Sequence, residues 1–280
     1  MDETHFFSRV ENVPAGTLLI EFLGQAGFWI RGQNVSFLID PCLSNYVVES
    51  GAGDANHFAR QFPPPELPSA IQGVSLIFVT HNHADHCDPL TILPILEGNP
   101  QAQVICPDDC ARMLIAAGAE STRIFFPGVG SWRSLPNLEY AVIPSAHYAR
   151  EMDPMTGRDH FVGYALRVNG VTLYHSGDTI LVPEMIEMLR NASPDYDIVC
   201  LPVNGRDARR EKLGIIGNLN AQEALDLTQK VTANVLLPMH NDLFAVNHVD
   251  PGVLESLADR TTPRQRIHWL QPGEIFWYVK

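Results

Sequence analysis

The sequence predicts an α/β fold in which two β-sheets pack together and carry their helices on the outside. Two observations make that case. Strands precede helices in each half of the chain, a succession that layers sheet on sheet with helices beyond. Val74–Thr80 is an unbroken apolar run, the mark of a strand covered on both faces. The chain has 280 residues, enough to bury most of its apolar surface without a disulfide staple. No residue-level repeat or low-complexity linker interrupts it, so residues 1–280 are expected to form a single domain.

The elements follow in order. Thr17–Leu23 is β-rich and closed by Gly24; Phe28–Arg31 and Val35–Ile39 are two more short strands set off by turn residues, an antiparallel meander ended by Asp40-Pro41. Residues 42–72 carry Gly, Ser, Asn and the triple Pro63-Pro64-Pro65 without a sustained period, and read as a structureless flap or lid. After the Val74–Thr80 strand, Asp88 caps a helix with Pro89 at its first position, and Pro94 predicts a kink or a late start. Strand Gln103–Cys106, helix Asp109–Ala117 and strand Leu138–Ser145 then alternate. Phe161–Val168 and Val171–His175 form a hairpin around Asn169-Gly170, a strong short turn signal. Helix Pro183–Asn191, strand Ile198–Pro202, helix Ala221–Val231, strand Val235–Pro238 and strand Ile275–Val279 complete the chain.

Composition bounds the partners. With 32 Asp+Glu against 19 Lys+Arg the net charge is −13, which argues against a nucleic-acid or anionic-membrane binder but leaves room for a small anionic substrate. Five cysteines without a CxxC read as reduced thiols, Cys106 and Cys200 in strand cores; Cys106 and Cys110 have no second pair to complete a zinc site. The opening Met-Asp-Glu-Thr-His has no apolar leader, and no run approaches the roughly 18 apolar residues of a membrane span. A cytoplasmic protein acting on a small molecule is expected, with homo-oligomerisation left open.

The chemistry is concentrated in His81-Asn-His83-Ala-Asp85-His86, directly after the buried strand. Four ligand-type side chains in six residues on a turn are not explained by packing, since His and Asp are seldom buried unpaired. Imidazole and carboxylate donors suit zinc, manganese or iron. His81 and His83 share one face of the turn while Asp85 and His86 point elsewhere, so one short segment can feed two adjacent metals.

This HxHxDH segment resembles the signature of the metallo-β-lactamase superfamily, and the resemblance continues along the chain over roughly residues 16–278. His147 in Ile143-Pro-Ser-Ala-His147, Asp178 in Tyr174-His-Ser-Gly-Asp-Thr179 and His240 in Leu236-Leu-Pro-Met-His240 stand just past apolar strands in the family's order. Leu23-Gly-Gln-Ala-Gly-Phe28, Ile39-Asp-Pro41, Asp85-His-Cys-Asp-Pro89, Leu201-Pro-Val-Asn-Gly205 and Pro238-Met-His-Asn-Asp242 are most similar to the L-ascorbate-6-phosphate lactonase-like branch. The flap and the histidine segment also resemble N-acyl-phosphatidylethanolamine phospholipase D-like relatives.

The resemblance implies a four-layer αββα sandwich of two mixed sheets and a hydrolase with two divalent ions per chain. It places His81, His83 and His147 on one metal, Asp85, His86 and His240 on the other, and Asp178 between them. A metal-bridged hydroxide is expected to attack a small, anionic ester, lactone or phosphodiester, with Asp85 orienting it and taking its proton. Ligating histidines need their second nitrogen bonded; Asp40 resembles the family aspartate that does this, and Thr80, Ser176 and Thr179 are further candidates. Strand alternation turns His175 away from Asp178 into a supporting or structural place. His5, His57, His160, His248 and His268 read as surface or core residues, His57 drawing interest for its place in the flap.

Substrate contacts are less legible. Arg206, Arg209, Arg210 and Lys212 form the densest basic run, just past Asn204-Gly205, and read equally as a solvated loop or an anion site. Tyr148 and Asn241 adjoin ligand positions. Rival functions are a nuclease, disfavoured by the acidity; a phospholipid- or nucleotide-cleaving phosphodiesterase; and a non-catalytic metal sensor or redox module, disfavoured because His83 is intact and every ligand position is filled.

Overall fold

The computed structural model describes residues 13–126 and 128–280; the acidic opening and His5 lie outside them. Strands β1 (Thr17–Gly24), β2 (Gly27–Gly32) and β3 (Val35–Ile39) are the expected meander. They are followed by β4 (Leu76–Phe78), β5 (Gln103–Ile105) and β6 (Ile124–Phe125). The second half contributes β7 (Gly130–Leu135), β8 (Leu138–Pro144), β9 (Val162–Val168), β10 (Val171–His175), β11 (Tyr196–Pro202), β12 (Ala233–Met239) and β13 (Arg266–Ile267), and β14 (Ile275–Val279) ends the chain.

Two seven-stranded sheets result, in the orders β14-β1-β2-β3-β4-β5-β6 and β13-β12-β11-β10-β9-β8-β7. Each has three antiparallel pairings followed by three parallel ones. The two halves therefore repeat one topology that residue identity does not reveal, with β14 filling in the first sheet the place that β7 fills in the second. The β9–β10 hairpin turns at Asn169 (φ 52°) and Gly170 (φ 84°), both left-handed as a two-residue turn of this kind demands.

The helices are α1 (Tyr46–Glu49), α2 (Ala55–Phe58), α3 (Pro89–Gly98), α4 (Asp108–Ala116), α5 (Pro183–Ala192), α6 (Ala208–Lys212), α7 (Ala221–Lys230) and α8 (Pro251–Thr261). Ile20, Phe28, Phe37 and Phe78 meet Tyr164, Leu173, Ile198 and Leu237 between the sheets. The outer face of the first sheet packs Ile77 and Val104 on Ile92 and Leu114 of α3 and α4. That of the second packs Val199 and Leu236 on Leu189, Leu225 and Leu254 of α5, α7 and α8. This is the αββα sandwich, its three apolar layers each closed off from water.

Two readings of the sequence change. The helix α3 begins at Pro89, capped by Asp88 as expected, and runs through Pro94 to Gly98 without a late start. Residues 42–72 are not structureless: they hold α1, α2 and a 3-10 turn at Pro68–Ala70. Arg60 ties this segment together through the carbonyls of Cys42 (2.9 Å) and Ser44 (3.1 Å). Cys42 and Val47 pack on Leu243 and Phe244, which follow β12. All five cysteines are buried and free, Cys200 inside β11 and Cys106 just beyond β5. No described helix is long and apolar enough to cross a membrane.

Candidate metal centre

The candidate ligands converge because their strands end on one rim of the sandwich. His81 to His86 follow β4, His147 follows β8, Asp178 follows β10 and His240 follows β12. Loops beyond the carboxyl ends of such strands are where open sheets place ligands. The two sheets are locked there by the Val162 amide donating to the Thr80 carbonyl (3.1 Å) and by the Tyr164 hydroxyl donating to the Val79 carbonyl (2.8 Å).

Two groups of metal-ligating atoms form, each with its atoms within 4.8 Å of one another: His81, His83, His147 and Asp178, and Asp85, His86 and His240. Asp178 joins them, with Oδ1 3.3 Å from His86 Nε2 and Oδ2 3.2 Å from His240 Nε2. Asp85 Oδ2 lies 3.3 Å from His240 Nε2 and 3.8 Å from His86 Nε2. The structure thus brings together the seven side chains that the family resemblance named as candidate ligands.

The environment orients each ring. His86 Nδ1 is 2.8 Å from Asp40 Oδ2, and Asp40 also takes the Thr80 amide (2.8 Å) and hydroxyl (2.6 Å). The Thr80 oxygen in turn stands 3.0 Å from His81 Nδ1, and the Gly217 carbonyl 3.3 Å from His147 Nδ1. With Nδ1 engaged, the Nε2 atoms of His81, His86 and His147 face inward, buried and without a hydrogen-bond partner, as is Asp178 Oδ1. Buried polar atoms are rarely orphaned without cause. Converging imidazole nitrogens and a carboxylate oxygen, each ring buttressed on its far side, are what a divalent transition metal requires, so the residues fit the implied ions.

The charge balance agrees. Burial, together with the neighbouring imidazoles, pulls His81 well below the usual histidine range and His83 down to about 4; burial also lowers His147. Burial opposes protonation of His86 and His240 as well, yet the carboxylates of Asp178 and Asp85 prevail, raising His86 well above its ordinary value and His240 to about 9. Asp85 and Asp178 are desolvated but held below the usual carboxylate range by His86 and His240.

Of the other expected supports, Ser176 spends its hydroxyl on the Gly177 carbonyl (2.7 Å), and Thr179 bonds the Ile180 carbonyl (2.9 Å) and the Ala146 amide (3.3 Å). Both shape loop backbone and neither touches a ligand ring. His175 is held in place at both ring nitrogens: Nε2 meets the Ala26 carbonyl (2.9 Å) and Nδ1 accepts from the amide of Gly177, the residue before Asp178 (3.1 Å). Three contributors were not foreseen. Gln25, buried in the β1–β2 turn at φ 58°, donates Nε2 to Asp85 Oδ2 (2.7 Å) and lies 3.0 Å from His240 Nε2. The Gly217 carbonyl is the second, and the third is Phe161, whose ring stands against His81, His83 and His147 at 5.0–5.8 Å. Gln25 belongs to Leu23–Phe28, which resembles the lactonase-like branch, but the 60 and 215 residues separating it from Asp85 and His240 give no sign of contact.

A cavity of about 510 Å³ opens onto His83, Asp85, Asp178 and His240 and is walled by Tyr46, Val47 and Phe58 of the 42–72 segment. The basic run lies elsewhere. Arg206 forms a bidentate pair with Glu223 (2.6 and 2.8 Å) and Arg210 bonds Asp207 (2.6 Å). Arg209 and Asn204 line a separate cavity with His57 and His248. Tyr148 is exposed and donates to Glu211 (2.8 Å), and Asn241, though buried, is not among the residues lining the cavity at the ligand groups.

The chain is 25% identical over 262 residues to a UPF0173 metal-dependent hydrolase of Hyperthermus butylicus, covering 92% of this chain and 99% of that protein. Its fold matches Igni18, a metallo hydrolase from Ignicoccus hospitalis, with a TM-score of 0.71 at 19% identity over 94% of this chain and 99% of the other. It matches an isothiocyanate hydrolase from Delia radicum gut bacteria equally, with a TM-score of 0.71 at 17% identity over 94% and 100%. Residues 36–241 match the model of the beta-lactamase superfamily domain, and the chain belongs to that superfamily.

Proposed function

We propose that this protein is a metal-dependent hydrolase that binds two divalent ions, zinc or manganese before iron, and cleaves an ester, lactone or phosphodiester. The observation that carries the reading is the pair of ligand groups sharing Asp178, with four inward-facing atoms orphaned in the protein alone. Ions bound there would supply Lewis-acid activation of a water and of the substrate's carbonyl or phosphoryl oxygen. The names of the Hyperthermus and Ignicoccus relatives support the same class.

The chain's own residues supply the rest. His81, His83 and His147 with Asp178 would hold one ion, and Asp85, His86 and His240 with Asp178 the other. Asp85 is the more exposed of the two carboxylates and faces the cavity, so its Oδ2 is placed to orient the attacking water and accept its proton. The Gln25 amide bonded to that oxygen fixes its direction. The 42–72 segment, tied to the loop beside His240, would cover bound substrate and exclude bulk water.

A phospholipid- or nucleotide-cleaving activity and a non-catalytic metal sensor are the competing readings. Elemental analysis of the protein as isolated should find about two ions per chain. His83→Ala and Asp178→Ala should abolish hydrolysis in a screen of lactones, phosphodiesters and thioesters while the fold persists; full turnover in either variant overturns the ligand assignment.

A further inference from the structure

The cavity at the ligand groups has two unlike kinds of lining. At its floor are the ligand side chains of His83, Asp85, Asp178 and His240, with the uncharged polar Ser50, Asn82 and Asn247 around them; Tyr46, Val47, Phe58, Met113, Ile215 and Ile216 supply its apolar wall. Among the described residues, no lysine or arginine lines it. Arg60, Arg206 and Arg112 are engaged with other partners: Arg60 with the carbonyls of Cys42 and Ser44, Arg206 with Glu223, and Arg112 with Asp109 and Asp153. A phosphate or carboxylate carried on the part of a substrate away from the scissile bond would be desolvated there without a countercharge, which is costly. An apolar group in the same place would be stabilised by displacing water from side chains from the 42–72 segment, α4 and the loop after α6.

We propose that this cavity selects substrates whose group beyond the scissile bond is uncharged and apolar, an alkyl or aryl chain, with charge confined to the reacting centre. The proposal rests on the metal-hydrolase reading for the floor of the cavity and deepens it by assigning the walls. Ile216 is 39% exposed and lies on a loop, so it can be changed without disturbing the packed layers.

Calorimetric titration of the zinc-loaded protein with n-alkyl hydroxamic acids of about four, six and eight carbons tests the walls, because the head group is constant while the chain lengthens. Each buried methylene should tighten binding by about fourfold. The eight-carbon probe ending in a carboxylate should bind at least tenfold more weakly than its methyl-ended counterpart. In Ile216→Ser the gain per methylene should shrink, and Ile216→Arg should reverse the preference in favour of the carboxylate-ended probe. A flat chain-length series, a preference of the unaltered protein for the carboxylate, or no binding of any probe overturns the proposal. Absence of ester turnover alongside an intact chain-length gain would strike the hydrolase reading alone and leave the apolar subsite standing.

Discussion

Asp40 Oδ2 lies 2.8 Å from His86 Nδ1, and both side chains are wholly buried. Asp40 sits at φ 43° where β3 ends, and its carboxylate also collects the Thr80 amide and hydroxyl. One carboxylate thus sets His86 directly and His81 through Thr80, so both ligand groups depend on it. Asp40→Asn keeps the size and tolerates the left-handed backbone but removes the charge. Metal affinity should fall about 10- to 100-fold, the usual effect of losing such a support. Competition with a chelator measures it, and an unchanged affinity would refute the role.

Gln25 reaches the same centre from the opposite side. Its backbone carbonyl accepts from the His240 amide at 2.6 Å, and its side chain holds Asp85 at 2.7 Å. Gln25→Asn preserves the amide and the left-handed φ but is one methylene too short to reach. A hydrogen bond to a charged group contributes about 1.5–3 kcal/mol, so turnover should drop by at least about tenfold. Steady-state kinetics at constant metal content would show it.

Metal uptake should release protons. Without ions, His86 and His240 are held protonated by Asp178 and Asp85, His240 up to about 9. Ligation needs neutral imidazole, so loading at pH 7 must expel those protons, and apparent affinity should rise with pH up to about 9. Calorimetry in buffers of different ionisation enthalpy counts the protons directly. A buffer-independent heat would contradict the assignment.

The same groups shape the pH profile of the metal-free protein. His83, lowered to about 4, binds fewer protons folded than unfolded, so its contribution is full above 6.5 and lost as pH falls toward 4. His240 behaves oppositely: raised to about 9, it stabilises below 6.5 and that contribution fades as pH rises through 9. Melting temperature should therefore decline on both sides of about 6.5 in the metal-free protein. On metal loading the alkaline limb should vanish, because the ions replace the protons.

The strands and the His81–His86 cluster were legible because both leave local marks, whereas His147, Asp178 and His240 were reached only through the family resemblance. Val74–Thr80 is an apolar run and His81–His86 a cluster within one turn. Helix α8 carries the same Asp-Pro start as α3, at Asp250-Pro251, but buries only Leu254 and Ala258, too sparse a pattern to mark a helix. The edge strand β7 and the two-residue β13 lack enough buried positions to announce themselves. Gln25 and Gly217 were hidden for a different reason: their contacts join loops brought together only by the stacking of two sheets. The arginine run pointed to charge but not to where that charge is spent.

Arg206 shows what that difference means experimentally. Its guanidinium grips Glu223 and donates to the Asn218 carbonyl (2.8 Å), while Gly217 packs so closely that an added Cβ would collide with Arg206 Cβ. The adjoining Gly217 carbonyl is what His147 Nδ1 rests on. These contacts predict that Arg206 acts on His147 through the loop rather than on substrate. Arg206→Met should loosen the loop and weaken metal binding by about tenfold, with KM for an anionic and a neutral ester changing alike. Arg206→Lys should not rescue it, because a single ammonium cannot reproduce the paired bonds to Glu223. If instead KM rises selectively for the anionic ester while metal affinity holds, the residue is a substrate anchor after all, and the loop role assigned to it is excluded.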